Sequence, residues 1–217
     1  MRSVLGFLGV LLAVIRAGHA LSCIQCVSLE STYCIGPSVS CPPDNVCGTS
    51  YTETSLGSSV FTKIYVRGCF AKNKCNLQGS TSVINDVMRR IGSTCCEINN
   101  CTPSKIILPD ASTRLNGLVC RTCISANSGW CDTDNTLQCT GDENMCLLQT
   151  TSITGAESKT YAYRGCATKS LCDIGRQTEE NAGQKVDERF TCTSGTAGLY
   201  SGLTLPLIAI LTTSMFS

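Results

Sequence analysis

Histidine is almost missing from this chain: there is one, His19, in 217 residues. The side chain most used for general acid–base catalysis is therefore scarce, and a serine triad has no base to work with. No motif around any serine brings in a lysine or carboxylate instead. Aromatics make up 6% of the residues and charged residues 15%, so a large aromatic core is not available. A formal net charge of +1 argues against a basic face for nucleic acid. No loop carries the Asp-x-Asp-x-Asp-Gly-x5-Glu spacing of a calcium site. The apolar runs at the two ends are each shorter than the ~20 residues a membrane-crossing helix needs.

Those two runs read as targeting signals. Residues 1–20 have Arg2 ahead of an apolar stretch at 4–15, then Gly18-His19-Ala20 with small residues at −3 and −1. This is the pattern of a secretory signal peptide cleaved after Ala20, and His19 leaves with it. At the other end no charged residue follows Arg189. Small residues Ser194-Gly195-Thr196-Ala197-Gly198 precede an apolar tail, the pattern of a glycosylphosphatidylinositol (GPI) attachment signal. Ser194 or Gly195 is the expected attachment residue, with residues 195–217 as the propeptide. Loss of Arg2 and Arg16 with the signal leaves 15 basic against 16 acidic residues.

What the chain has in excess is cysteine, 18 residues, and they form a repeat. Cys23, Cys26, Cys34, Cys69, Cys75 and Cys95 recur 97 residues later as Cys120, Cys123, Cys131, Cys166, Cys172 and Cys192. Cys41 and Cys47 recur as Cys139 and Cys146 with a drift of one or two residues. Arg67-Gly68-Cys69 answers Arg164-Gly165-Cys166. The first copy adds Cys96 and Cys101, where the second has Thr193 and Gly198. Ten and eight cysteines are both even counts, which permits complete pairing inside each module. Eight cysteines still allow 105 pairings, so spacing alone does not choose among them.

The modules are expected at residues 21–102 and 119–194, joined by a linker at 103–118 that holds Pro103, Pro109 and Gly117. Its apolar Ile106-Ile107-Leu108 suggests a short strand packed between the modules. Residues 46–52, 60–67, 145–152 and 159–164 carry β-type composition, with turn chemistry at 55–58 and 154–157. Val83, Ile84, Val87, Met88 and Ile91 instead follow a helical period, which predicts a short helix over 83–91.

The Cys-x2-Cys opening, the central Gly-Cys and the closing Cys95-Cys96-x4-Cys101 resemble the uPAR/Ly6 three-finger domain. The tandem layout, the Leu-Asn-Gly-Leu-Val-Cys lead-in to the second module and its missing final cysteine pair look most like gamma-type phospholipase A2 inhibitors. The resemblance implies an all-β, disulfide-rich fold of two tandem three-finger domains. It also implies the pairing Cys23–Cys47, Cys26–Cys34, Cys41–Cys69, Cys75–Cys95 and Cys96–Cys101. In the second module it implies Cys120–Cys146, Cys123–Cys131, Cys139–Cys166 and Cys172–Cys192. The family usually has Asn directly after the last cysteine, where its side chain ties the base of the fold; here that residue is Thr102.

Cys23-x2-Cys26 and Cys120-x2-Cys123 read as structural bridges, since secretion favours oxidised cysteines and no thioredoxin-like βαβ order surrounds them. The same logic removes a zinc site. Asp132, Asp134, Asp142 and Glu143 read as a solvated acidic face. Asn100-Cys101-Thr102 is formally a glycosylation sequon with a poor acceptor, its middle residue being a cysteine destined for a bridge. Trp130, the only tryptophan, is expected to pack against the neighbouring bridge. Leu56, Ile153 and Trp130 mark the finger tips. The expected protein is non-enzymatic and extracellular, without cofactor, metal or nucleic acid. It binds a protein ligand, and the inhibitor resemblance names a secreted phospholipase A2. A GPI lipid would hold it at the cell surface.

Overall fold

The computed structural model describes residues 20–84, 87–181 and 183–194. The first half holds β1 (Ser22–Ile24), β2 (Cys26–Ser28), β3 (Ser38–Ser40), β4 (Asn45–Leu56), β5 (Ser59–Ala71), β6 (Gln78–Val83) and β7 (Val87–Cys96). The second holds β8 (Leu115–Arg121), β9 (Cys123–Ser125), β10 (Thr136–Thr140), β11 (Met145–Thr154), β12 (Lys159–Ala167), β13 (Arg176–Asn181) and β14 (Gln184–Ser194). A four-residue helix α1 (Lys169–Cys172) sits where the first half has a 3-10 turn at Lys72–Lys74.

Each half has the same plan. A small two-stranded sheet forms the head, β1 with β3 and β8 with β10. Long hairpins project from it, β4 with β5 and β11 with β12. Leu56 and Ser59 close the first long hairpin through Gly57-Ser58, with Gly57 at φ +58°. A two-residue hairpin loop needs that left-handed start, and glycine supplies it without a Cβ penalty.

Nine disulfides use all the cysteines: Cys23–Cys47, Cys26–Cys34, Cys41–Cys69, Cys75–Cys95, Cys96–Cys101, Cys120–Cys146, Cys123–Cys131, Cys139–Cys166 and Cys172–Cys192. They also form most of the core. The centre of the first head is Cys23, Cys41 and Cys47; that of the second is Cys120, Cys139 and Cys166. Buried aliphatic side chains are few, chiefly Val46, Leu147 and Leu171. Crosslinks thus stand in for the apolar area that modules of this size cannot bury.

The expected helix over 83–91 is a strand hairpin. Val83 pairs with Val87 across β6 and β7, and β7 continues along β4 from Leu56↔Val87 to Cys47↔Cys96. The apolar positions fit a helical period, but β4 lies alongside and satisfies the backbone of β7. The linker also differs from expectation. Residues 105–108 form no strand, and Leu115–Leu118 already belong to β8. Ile106 and Leu108 cover Gly92 of β7, where a Cβ would sit 2.5 Å from Ile106 Cγ2. Arg90 fixes the next turn, donating 3.1 Å to Pro109 O and 2.6 Å to Glu53 Oε2. Burial first, and the Glu53 carboxylate second, push the neighbouring Tyr51 hydroxyl up to about 12. It therefore stays protonated and donates to Glu53 Oε1 at 2.8 Å.

The two halves share one ten-stranded sheet, because β12 pairs with β6 through Cys166↔Ser82 and Ala167↔Thr81. Thr168 N donates to Ser80 O at 3.0 Å, and Ser80 N donates back to Thr168 Oγ1 at 3.1 Å. Ser170 Oγ reaches Gln78 O at 2.5 Å, and Leu171 lies over Gly79.

Candidate protein-binding surfaces

The repeat makes each half a control for the other. Arg67 and Arg164 are equivalent residues, yet they do different work. Arg67 is buried and donates through Nη2 to Cys101 O at 3.2 Å and Thr102 Oγ1 at 3.4 Å. It holds the base of the first module where the family's usual Asn is replaced by Thr102. Asn99 and Asn100 add to this tie. Ser22 N donates to Asn99 Oδ1 at 2.9 Å, and Asn100 N donates to Ser22 O at 2.6 Å. The second half lacks the cysteine pair that closes the equivalent loop, with Thr193 and Gly198 in its place. The Arg164 guanidinium lies 4.2 Å from the Trp130 ring centroid instead.

Trp130 is therefore not packed away against its bridge. It is 56% exposed and held by a cation–π contact. Tyr33, its equivalent in the first half, is 58% exposed. Val27, Leu29 and Ile35 beside Tyr33, and Ile124 in the second first-finger, are exposed too. Leu56 stands out at the tip of the β4–β5 hairpin with Val60 and Phe61. Ile153 does not act as a free tip: it is half-buried within β11, between Lys159 and Val186. Ile98, Ile107, Leu115, Val119 and Tyr161 are exposed as well, so exposed apolar groups occur on both first fingers, both long hairpins, the closing loop, the connector and β8. Such groups are candidates for contact with another macromolecule.

The sulfurs of Cys23, Cys41 and Cys69, and of Cys120, Cys139 and Cys166, lie within 4.8 Å of one another. All six are in disulfides, so these sulfur clusters are stacked crosslinks and not metal ligands. The expected attachment residue Ser194 ends β14. Gly195 and the rest of the tail, like residues 1–19, lie outside the described residues.

A crevice of about 1120 Å³ lies between the halves, walled by Gln78, Ser80, Arg114, Asn116, Asp142 and Glu143 among others. Glu143 departs from the solvated face expected of its acidic cluster. It is 1% exposed, and neither carboxylate oxygen has a hydrogen-bond partner among the described residues. Its backbone is held in place: Asn116 Nδ2 donates to Glu143 O and to Gly141 O, each at 3.1 Å. Burial pushes its carboxyl above the usual range; the nearby Ser80 and Ser82 hydroxyls oppose the shift without reaching bonding geometry. The sequence shows no sign of this, because the burying strand β6 comes from the other half.

The folded chain consequently holds the Glu143 proton more tightly than the unfolded chain does. That stabilisation is complete below the ordinary carboxylate pKa and is lost as pH rises through the raised value. Glu143→Gln keeps the neutral form at every pH. Thermal melts at pH 4 should give similar midpoints for the two proteins, while at pH 8 the variant should melt higher. Each kcal/mol is worth about 2–4 °C in a chain of this size. A difference that does not change with pH would remove this role for Glu143.

Both halves match one family model, that of the u-PAR/Ly-6 domain, over residues 19–104 and 116–197. A phospholipase A2 inhibitor NAI from Notechis ater is 29% identical over 175 residues, covering 76% of this chain and 86% of the inhibitor. A phospholipase A2 inhibitor of the gamma type from Laticauda semifasciata is 30% identical over 179 residues, covering 76% and 96%. The urokinase plasminogen activator surface receptor of Rattus norvegicus is 27% identical over 183 residues, covering 82% of this chain but 54% of the receptor.

Proposed function

We propose, from the premise that this chain belongs to the u-PAR/Ly-6 domain family, that it binds and inhibits a secreted phospholipase A2. The chain is a non-catalytic extracellular binding protein, and a secreted phospholipase A2 is the ligand proposed for it. One observation carries it: the similarity to the inhibitors runs through both modules and nearly their whole length, 86% and 96%. The surface chemistry is compatible. An enzyme that works on lipid aggregates must present an apolar face, and Val27, Tyr33, Ile35, Phe61 and Trp130 offer apolar groups in return. Covering the enzyme's apolar face would keep it from its substrate without any chemistry by the binder.

The test is hydrolysis of phospholipid vesicles by a purified secreted phospholipase A2, with the mature protein titrated in. The rate should fall until the two proteins are equimolar. An unchanged rate at large excess of the protein would overturn the reading. The apolar, uncharged tail supports a second, compatible statement, that Ser194 or Gly195 carries a GPI lipid. Release of the protein from cells by a phosphatidylinositol-specific phospholipase is expected, and retention would remove it.

A further inference from the structure

The crevice between the halves holds a group that neither module uses. Glu143 stands on the loop between β10 and β11, which has six residues between its cysteines, 140–145; the equivalent loop of the first module has five, 42–46. Backbone bonds fix the loop. Gly141 N donates to Arg114 O at 2.9 Å and Glu143 N to Thr140 O at 3.1 Å. Asp142 and Asn144 are exposed on either side, while Glu143 is turned against β6. Neither carboxyl oxygen has a partner among the described residues. Buried polar groups are almost always paired, so an unpaired carboxyl on a crevice wall leaves a place for a donor from outside. Such a donor breaks no existing bond as it enters.

The other walls narrow what that donor is. Asp110 and Asp142 add two exposed carboxyls. The strand β6 brings no charge, only the Ser80 and Ser82 hydroxyls. Lys169, also on the crevice wall, is held by Asp173 at 2.6 and 2.7 Å. Arg114 is exposed, and its guanidinium has no partner among the described residues. Neither of these cations occupies the place at Glu143. Calcium takes roughly six to eight oxygens, and the nearby carbonyls are already spent. Arg114 O and Thr140 O accept within the loop, Gly141 O and Glu143 O accept from Asn116, and Ser80 O accepts from Thr168. An organic cation needs fewer acceptors. Met88, Pro109 and Leu115 also line the crevice and suit an aliphatic stem. Its volume, about 1120 Å³, exceeds one side chain and leaves room for the loop that carries it.

We propose that the crevice between the halves receives a lysine or arginine side chain from a partner protein, with the Glu143 carboxylate as its counter-ion. The cationic head would donate to the two unpartnered oxygens, and its stem would lie along Met88, Pro109 and Leu115. Asp110 and Asp142 would attract the charge at the rim. A buried carboxylate and a buried cation are each costly alone and offset one another when paired. Burial holds the Glu143 carboxyl above its usual range in the free protein, and a cation against it favours the ionised form. Binding therefore releases the Glu143 proton. The inference goes beyond the enzyme named above and does not depend on it.

The test uses the mature protein, with its glutamate carboxyls labelled for NMR, and two probes, N-acetyl-lysine methylamide and N-acetyl-arginine methylamide. One of them should shift the Glu143 carboxyl resonance and move the midpoint of its titration to lower pH. N-acetyl-norleucine methylamide, which lacks the charge, should do neither. Glu143→Gln should weaken the probe about tenfold or more. Asp134→Asn, the same charge change at an exposed acid outside the crevice, should leave binding within about twofold. Arg114→Gln removes a like charge and should tighten binding. No shift with either probe at tens of millimolar would overturn the proposal. So would equal binding to Glu143→Gln, the result if an internal water satisfies the carboxyl. Weaker binding by Arg114→Gln would mean that the crevice holds an anion, and a Glu143 shift with calcium alone would mean a metal site. n-Butylammonium binding as tightly as the probes would replace the partner protein by a free amine. The hydrolysis assay is a separate readout, so its failure leaves this result standing.

Discussion

Gly165→Ala should destabilise the protein by about 2–3 kcal/mol, while the equivalent Gly68→Ala should stay within about 0.5 kcal/mol. The two glycines occupy the same place in the repeat, each between an arginine and a cysteine. A Cβ on Gly68 would meet nothing within 4 Å. A Cβ on Gly165 would sit 1.9 Å from Ser82 O, which is backbone and cannot swing away. β6 would have to retreat by roughly 1.5 Å to reach an ordinary 3.4 Å contact. That shift takes the Cys166↔Ser82 and Ala167↔Thr81 pairs with it, and then the Thr168 and Ser170 bonds to Ser80 and Gln78. Denaturant unfolding of the three proteins decides the matter. The Gly165 variant should also lose protection from proteolysis in the 103–114 connector, because the halves no longer share a sheet. Equal effects of the two substitutions would show that the β6–β12 joint contributes nothing.

This glycine shows where sequence reading stops. The repeat of Arg-Gly-Cys was legible at once, and it marks Gly68 and Gly165 as equivalent. Nothing local distinguishes them, because the atom that makes Gly165 necessary belongs to Ser82, in the other module. The same cause lies behind the other departures. The period at 83–91 is helical on paper, but a strand more than 30 residues away supplies the partner that decides its form. Glu143 reads as one of a run of solvated acids, and β6 buries it. Trp130 reads as a residue to be buried, and the module lacks the apolar volume to do so. Its anchor is Arg164, whose equivalent Arg67 is instead drawn to Cys101 O and Thr102 Oγ1. The long strands, by contrast, were visible as β-branched and aromatic runs bounded by turn residues. Pairing inside a hairpin is local, so composition and turn chemistry carry it. The crevice and the joint both arise between segments far apart in the chain.

Replacing Cys139 and Cys166 together by Ala should cost clearly more than replacing Cys96 and Cys101. Loop length sets a first estimate. The Cys139–Cys166 bond closes a separation of 27 residues and Cys96–Cys101 one of 5. Restriction of the unfolded chain alone is then worth about 3.5 and about 2 kcal/mol. Position widens the gap. Cys139 and Cys166 are both 0% exposed, and Cys139 Sγ packs 3.3 Å from Cys120 Sγ in the second head. Two alanines would leave a void where most of that module's core is sulfur. Cys166 also sits on the joint, opposite Ser82, so loosening β12 weakens the pairing with β6. The Cys96–Cys101 loop is peripheral by comparison. Its loss should fray Asn99, Asn100 and the Arg67 bonds to Cys101 O and Thr102, leaving the ten-stranded sheet intact. Guanidinium unfolding should therefore show a large drop in midpoint for the first variant and a modest one for the second. Hydrogen exchange in the second should quicken at Ser22, whose N–H loses its Asn99 acceptor. Equal midpoints would mean that loop entropy and core sulfur do not govern the stability of this fold.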